Sequence, residues 1–136
     1  MSAELFNPAG WPRPQGYSNG VSAAGRSVFV AGQVGWNPLT RRIETDDFVA
    51  QVRLALANVV AVLRAGGAQP GQVTRLTWYV TDREAYRSAR GPIGVAYREL
   101  FGRHFPAMSV VLVPGLLEER AKVEIEATAV VPDGEE

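Results

Sequence analysis

The segment Lys122–Val130 constrains the fold of this chain more than any other. Its side chains alternate between apolar and polar, which predicts a β-strand with one buried face. The apolar face carries Val123, Ile125, Ala127 and Ala129, and the polar face carries Lys122, Glu124, Glu126 and Thr128. The carboxylates allow two interpretations, a solvated strand face or a functional site. A second strand-like run, Phe105–Val113, precedes this segment across a short connection that contains proline and glycine.

Further strands and two helices are predicted upstream. The strands are Tyr17–Ala23, Ser27–Gly32, Arg42–Glu44 and Val73–Thr81. We expect the first two to form a hairpin through a turn at Ala24–Arg26. A long helix with one apolar stripe is capped by Thr45 or Asp46 and ends at Gly66–Gly67, because glycine tolerates the left-handed conformation. The second helical region starts at Asp82 or Ser88 and stops at Gly102.

These elements predict an α+β fold, a mixed β-sheet with two helices on one face, in a single domain of residues 1–136. We expect residues 1–15 to form an extended lead-in and residues 132–136 to form a frayed tail. The uncovered sheet face mixes polar and apolar side chains, which suits either solvent or a subunit interface. These residues are Val73, Arg75, Thr77, Tyr79, Lys122, Glu124, Glu126 and Val130.

Composition excludes several classes of function. The 136 residues include 14 basic and 14 acidic side chains, a balance that argues against the cationic surface that nucleic-acid binding needs. The chain has no cysteine, so it has no disulfide, thiolate nucleophile or cysteine-ligated metal, and we expect neither a metal nor a cofactor. The N-terminus lacks signal-peptide features, and no apolar run approaches the ~20 residues that span a bilayer. We therefore expect a cytoplasmic protein without a membrane partner.

Several stretches resemble, in order along the chain, the motifs of the Rid family, also called YjgF or L-PSP proteins. Phe105–Ser109 is similar to the family's Phe-Pro-Ala-Arg-Ser run, and Glu124–Ala127 to its Glu-Ile-Glu-Ala strand. The other similar stretches are Gly16–Val21, Val28–Pro38, Gln51–Gly67 and Thr77–Asp82. The resemblance implies a YjgF-like (chorismate-mutase-like) fold and a homotrimer. In this trimer the sheets form a central barrel, and a small-molecule ligand occupies the clefts between subunits.

The resemblance also implies hydrolytic deamination of reactive enamines and imines. In the family scheme, the motif arginine holds the substrate carboxylate through two hydrogen bonds. The first glutamate of the Glu-Ile-Glu strand positions the attacking water. These roles assign Glu124 as the water-positioning carboxylate, Tyr17 as the tyrosine of the pocket and Gly32 as the glycine of the Ser-Gly-Gln turn.

This chain departs from the family pattern where the ligand would bind. Met108 replaces the arginine, Ala31 replaces the turn serine and Val110 replaces a frequent cysteine. A pocket asparagine on the second helix falls near Gly94. A thioether offers neither a charge nor a strong donor, and losing a charge-assisted contact costs about 1.5–3 kcal/mol. We therefore expect no activity on small 2-imino acids unless another arginine reaches the site; the candidates are Arg41, Arg42, Arg75 and Arg120.

Three hypotheses of function follow. The first is a deaminase-type hydrolase that acts on a different substrate through Glu124 and Tyr17. The second is a trimeric small-molecule binder or regulator without turnover. The third is a ribonuclease or translation inhibitor, which the neutral charge disfavours because RNA affinity depends on cationic contacts with phosphate.

Other conspicuous residues have structural interpretations. His104 is the only histidine and is predicted to enter the strand that follows it. Trp78 is predicted to lie in the core, and Trp36 either lines the cleft or packs on the first helix. Asp46 and Asp47 suit the start of the helix. The remaining arginines are predicted to form a solvated surface, namely Arg83, Arg87, Arg90, Arg98 and Arg103.

Overall fold

A computed structural model describes residues 3–134 of the chain. Its elements are β1 (Glu4–Phe6), β2 (Gly20–Ser22), β3 (Arg26–Val34), α1 (Phe48–Ala65), a 3₁₀ turn (Pro70–Gln72), β4 (Val73–Val80), α2 (Arg83–Ser88), α3 (Arg90–Phe101), β5 (Ala107–Leu112) and β6 (Val123–Val131). Residues 135–136 of the predicted frayed tail lie outside the described residues.

A four-stranded sheet with the order β3-β6-β4-β5 organises the domain. Strand β6 pairs antiparallel with β3 and with β4, whereas β4 and β5 are parallel. Helices α1 and α3 pack against each other, and α1 packs on β3 and β6. The predicted α+β fold, with a mixed sheet and its two main helices on one face, is therefore confirmed. The second helical region is divided at Ala89 into the short α2 and the longer α3.

The predicted hairpin between Tyr17–Ala23 and Ser27–Gly32 is wrong. Strand β2 pairs instead with β1, a strand inside the predicted lead-in, and the two form a separate small sheet. Asn7 fixes this pairing, because its Oδ1 accepts hydrogen bonds from the backbone N–H and the side-chain amide of Asn19. The short strand predicted at Arg42–Glu44 is also absent; only a single bridge joins Arg42 to Asn37.

The core lies between the sheet and the helices. Val52, Leu56, Val59 and Leu63 are fully buried on the inner face of α1, as their spacing predicted. By length and composition alone α1 could also cross a membrane. Its packing on the sheet and on α3 identifies it as the core helix of this domain.

The start of α1 differs from the prediction by one or two residues. Asp47 is the N-cap, and its carboxylate accepts a hydrogen bond of 2.8 Å from the backbone N–H of Ala50. Asp46 forms an exposed ion pair with Arg120 instead. The predicted stop is confirmed: Gly66 caps the helix, and Gly67 takes a φ of +81°, in the left-handed region.

Two buried amides fix loops against α1. Gln51 donates to the carbonyl oxygens of Thr45 and Arg120 and accepts from the backbone N–H of Lys122. Asn58 donates to the carbonyl oxygens of Val34 and Trp36 at the end of β3. These side chains satisfy backbone groups beyond the strand ladders, so α1 sets the positions of the ends of β3 and β6.

Within residues 3–134, no helix covers the other face of the four-stranded sheet, which we call the helix-free face. Arg75, Thr77, Tyr79, Glu124 and Glu126 lie on it, as predicted. Val73 does not, because the β4–β6 register shifts between Val73 and Arg75 and places Val73 in the core. Phe29 stands on the helix-free face with 76% of its surface exposed.

Replacing Asp47 with alanine should destabilise the protein by about 1 kcal/mol, because the amide of Ala50 loses its acceptor at the start of α1. Asp46→Ala is the matched control at the neighbouring position. It removes only an exposed ion pair and should change stability by less than about 0.5 kcal/mol. Urea unfolding of both variants checks the difference; equal effects would contradict the assignment of the cap.

Candidate functional site

A cavity of about 700 Å³ opens between α3, β4, β5 and the chain segment that precedes β2. We call it the α3 cavity. Four residues assigned from the family motifs lie together in its wall: Tyr17, Gly94, Met108 and Val110. The other residues of the wall are Gln15, Gly16, Trp78, Tyr86, Arg90, Ile93, Tyr97, Arg98 and Phe105.

Strand register brings Met108 and Val110 into this cavity. In the parallel β4–β5 pair, Met108 stands beside Leu76, and Val110 stands beside Trp78. Neighbouring residues in register share a face of the sheet, and Leu76 and Trp78 are buried under the helices. The position where the family has its arginine therefore points to the helical side of the sheet.

Tyr17 reaches the cavity because the next residue is tied to the entry of β5. The backbone N–H of Ser18 donates to the carbonyl of Pro106 at 3.0 Å, and its hydroxyl donates to the carbonyl of Phe105 at 2.6 Å. These bonds hold the segment around Tyr17 against the start of the motif strand, although the two are far apart in sequence.

Glu124 and Gly32 lie together on the helix-free face. A β-bulge between Val30 and Gln33 takes Ala31 and Gly32 out of the regular pairing of β3 with β6. The carboxylate of Glu124 occupies the space above Gly32, where the Cβ of any other residue would collide with it. Glycine at position 32 is thus what allows Glu124 its position.

Glu124 and Glu126 differ in their engagement. The Tyr79 hydroxyl donates a 2.6 Å hydrogen bond to the carboxylate of Glu126. That bond, reinforced by desolvation and by the negative charges of Glu126 and Glu124, raises the pKa of Tyr79. The side chain of Glu124 has no hydrogen-bond or ion-pair partner among residues 3–134. Of these two carboxylates, Glu124 is the one available to a ligand or water.

The assigned residues therefore fall into two groups on opposite faces of one sheet. Tyr79 stands beside Glu124 on the helix-free face, whereas Trp78 stands beside Ile125 and Val110 on the helical face. Met108 and Glu124 cannot approach one ligand within a single chain. A site that uses both groups needs a second copy.

None of the arginines proposed as replacements lines the α3 cavity. Arg75 lies on the helix-free face, and Arg120 is bound to Asp46 and to the carbonyl of Ile43. Arg41 and Arg42 lie in the turn that follows Asn37, away from the cavity wall.

Arg90 and Arg98, predicted to be solvated, contribute to the cavity wall instead. A helix places residues four apart on one face, so Arg90 and Arg98 share the face of Gly94, the position that the family motifs assign to the pocket. The guanidinium of Arg98 lies over Gly94, with Nη1 3.1 Å from the point that a Cβ would occupy.

Two aromatic or titratable residues have structural positions. His104 Nε2 lies 2.6 Å from the carbonyl oxygen of Val73, beside the entry to β5. Trp36 packs in a small cluster with Val34, Ile43 and Ala121. Within residues 3–134, no group of three or more histidine, aspartate or glutamate side chains could hold a metal ion.

Residues 12–131 match the model of the protein family described as Endoribonuclease L-PSP. The chain is 34% identical to the 2-iminobutanoate/2-iminopropanoate deaminase of Escherichia coli K12 over 117 residues, which cover 84% of this chain and 86% of that protein. It is 33% identical to a RutC family protein of Pyrococcus horikoshii over 118 residues, 87% of this chain and 90% of that protein.

Solved structures show the same fold. The Rid-family protein YyfB of Yersinia pestis superposes with a TM-score of 0.84 at 32% identity, covering 96% of this chain and 100% of that one. Escherichia coli TdcF, solved with bound serine, superposes with a TM-score of 0.66 at 32% identity, covering 96% of this chain and 98% of that one.

Proposed function

Because the chain belongs to the Rid (YjgF/L-PSP) family, as its motifs predicted, we propose that it hydrolyses a reactive imine or enamine other than a simple 2-imino acid. The position of Glu124 supports this proposal. Its carboxylate is free of other partners and lies over Gly32, so it can accept a proton from water as the water attacks an electrophilic carbon. Relatives named as deaminases support the same class of reaction.

We propose that the reaction occurs in clefts between the subunits of a homotrimer. The two groups of assigned residues lie on opposite faces of one sheet, so a cleft needs the α3 cavity of one copy and Glu124 of the next. The helix-free face also exposes Phe29, and burial of this large ring against a second sheet favours association.

Met108 determines which substrates are excluded. It stands where the family has an arginine, and its thioether cannot hold a carboxylate in a charge-assisted contact. The loss of about 1.5–3 kcal/mol weakens binding of a small 2-imino acid by roughly ten- to a hundredfold or more. The substrate is therefore an imine or enamine that is held by other contacts.

A trimeric binder without turnover is the second candidate. The exchange of polar groups for Ala31, Met108 and Val110 favours it, because all three changes remove hydrogen-bonding or charged groups from the proposed cleft. A ribonuclease remains the third candidate, as the family description suggests, and the zero net charge argues against it.

We expect the wild-type protein to be a trimer at micromolar concentration, and Phe29→Lys to dissociate or weaken it, because a charge would be buried between sheets. Val62→Lys is the control; it places the same charge on the outer surface of α1, where Val62 is 38% exposed, and should leave the trimer intact. Light scattering measures both. A monomeric wild-type protein would reject both the assembly and the shared cleft.

The Met108→Arg variant should gain hydrolysis of 2-iminopropanoate, by roughly ten- to a hundredfold over a wild type with little or none, because it restores the carboxylate anchor. Adding Glu124→Gln should abolish the gain, since glutamine keeps the shape but not the basicity. A coupled assay that generates the imine in place measures the rates. Turnover by the wild type would contradict the role of Met108, and a folded Met108→Arg trimer without activity would favour the binder.

Mixed trimers test whether the cleft is shared. Wild-type chains have Glu124 without an arginine at position 108, and chains with both Met108→Arg and Glu124→Gln have that arginine without the carboxylate. Each homotrimer should be inactive toward 2-iminopropanoate, and co-expressed mixed trimers, purified through two tags, should be active. Inactive mixed trimers, alongside active Met108→Arg homotrimers, would place both groups in one chain and contradict the shared cleft.

A further inference from the structure

The α3 cavity combines aromatic walls with two arginines. Its aromatic side chains are Tyr17, Trp78, Tyr86, Tyr97 and Phe105. Arg90 and Arg98 contribute from α3, and neither forms an ion pair with a carboxylate among residues 3–134. Guanidinium groups without a carboxylate partner, beside an apolar cavity, have the chemistry that suits an anion with an apolar body.

The geometry of α3 directs Arg98 into this cavity. Arg98 lies one helical turn beyond Gly94, and its guanidinium folds back over the glycine, where a larger side chain would displace it. Gly94 is part of the cavity wall, so the folded-back guanidinium stands at the cavity.

Arg90 lies one turn before Gly94 and near Tyr86 of α2. Burial raises the pKa of Tyr86, and the positive charge of Arg90 partly offsets that increase. Both groups line the cavity, so a ligand would meet Arg90 and Arg98 on either side of Gly94. The two arginines are eight residues apart, about 12 Å along the helix axis.

Trp78 adds an unmet polar group. Its side chain is buried and lines the cavity, and its indole N–H has no acceptor among residues 3–134. Buried donors are nearly always paired in folded proteins, so an acceptor atom of a ligand or an ordered water is expected beside it.

We propose that Arg98, assisted by Arg90, replaces the missing motif arginine as the anion anchor, and that the ligand is a carboxylate with an aromatic body. This inference rests on the proposed function in that the same cleft binds the substrate. Moving the anchor from β5 to α3 leaves Met108 and Val110 as apolar contacts for the body of the ligand. The aromatic side chains of the cavity wall suit a ring as the body of the ligand, because aromatic rings pack favourably on one another.

Calorimetric titration of the wild-type protein at low salt tests the class of ligand with three probes. The carboxylate 3-phenylpropanoate should bind at least about tenfold more tightly than 3-phenylpropanamide, which lacks the charge, and than propanoate, which lacks the ring. Equal binding of the acid and its amide, or no binding of the acid, would overturn the proposal.

Substitution of the arginines tests the anchor. Arg98→Gln should weaken binding of 3-phenylpropanoate by about tenfold or more and should leave binding of the amide unchanged, and Arg90→Gln should act in the same direction. Arg87→Gln removes another exposed arginine, which lies on α2 outside the cavity, and should change neither affinity. Equal losses of affinity for 3-phenylpropanoate in the Arg87 and Arg98 variants would show that any positive charge on this surface has the same effect, and would overturn the proposal.

Different results would overturn the proposed hydrolase and the proposed anion anchor. Arginine-dependent binding of 3-phenylpropanoate together with an inert Met108→Arg trimer would keep the anchor and reject the hydrolase. Glutamate-dependent hydrolysis in the Met108→Arg trimer, together with no charge-dependent binding of 3-phenylpropanoate, would keep the hydrolase and overturn the anchor.

Discussion

The alternation of side chains across β4, β5 and β6 is the constraint on which the rest of the structure depends. Because neighbours in register share a face, Trp78, Val110 and Ile125 all belong to the helical side, and Tyr79 and Glu124 belong to the other. The same alternation that builds the core therefore separates Met108, at the position of the family's arginine, from Glu124, the glutamate proposed to position water. A site that uses both positions, as proposed, needs two copies of the chain, which links the proposed function to assembly.

Contacts with α1 fix the backbone at the end of β3, close to the residues assigned on the helix-free face. Gly35 lies so close to the backbone of Gln51 that only glycine fits, and Asn58 holds the carbonyls of Val34 and Trp36. These contacts fix the end of β3 against α1. The bulge that places Gly32 under Glu124 lies only a few residues before this anchored end. Helix α1 therefore holds the backbone beneath Glu124, although α1 packs on the side of the sheet opposite the helix-free face.

Local patterns in the sequence predicted the strands of the large sheet and the glycine stops of the two main helices, because alternation and glycine stops are properties of neighbouring residues. Pairing across long distances was not predictable in this way. Strand β2 pairs with β1, and Asn7 and Asn19 join the chain beside this pair. The prolines that follow β1 favoured an extended lead-in over a strand in that region. The bulge in β4 reversed the face of Val73. Arg90 and Arg98 are charged side chains of the kind that usually face solvent. Only their spacing of four residues from Gly94 indicates that they line the cavity.

Met108 and the arginines of α3 are physically consistent with one another. An arginine at position 108 would place a third positive charge beside the same cavity, and the three would repel one another until an anion entered. A neutral thioether removes that repulsion and gives the body of a ligand an apolar, adaptable surface. The neutral side chain on β5 and the arginines of α3 without an ion pair in residues 3–134 thus fit the proposed movement of the anion contact from the sheet to the helix. In the proposed trimer, the carboxylate of Glu124 lies on the sheet of the neighbouring copy, so the proposed anchor alters which molecule is held without altering the group proposed to act on it.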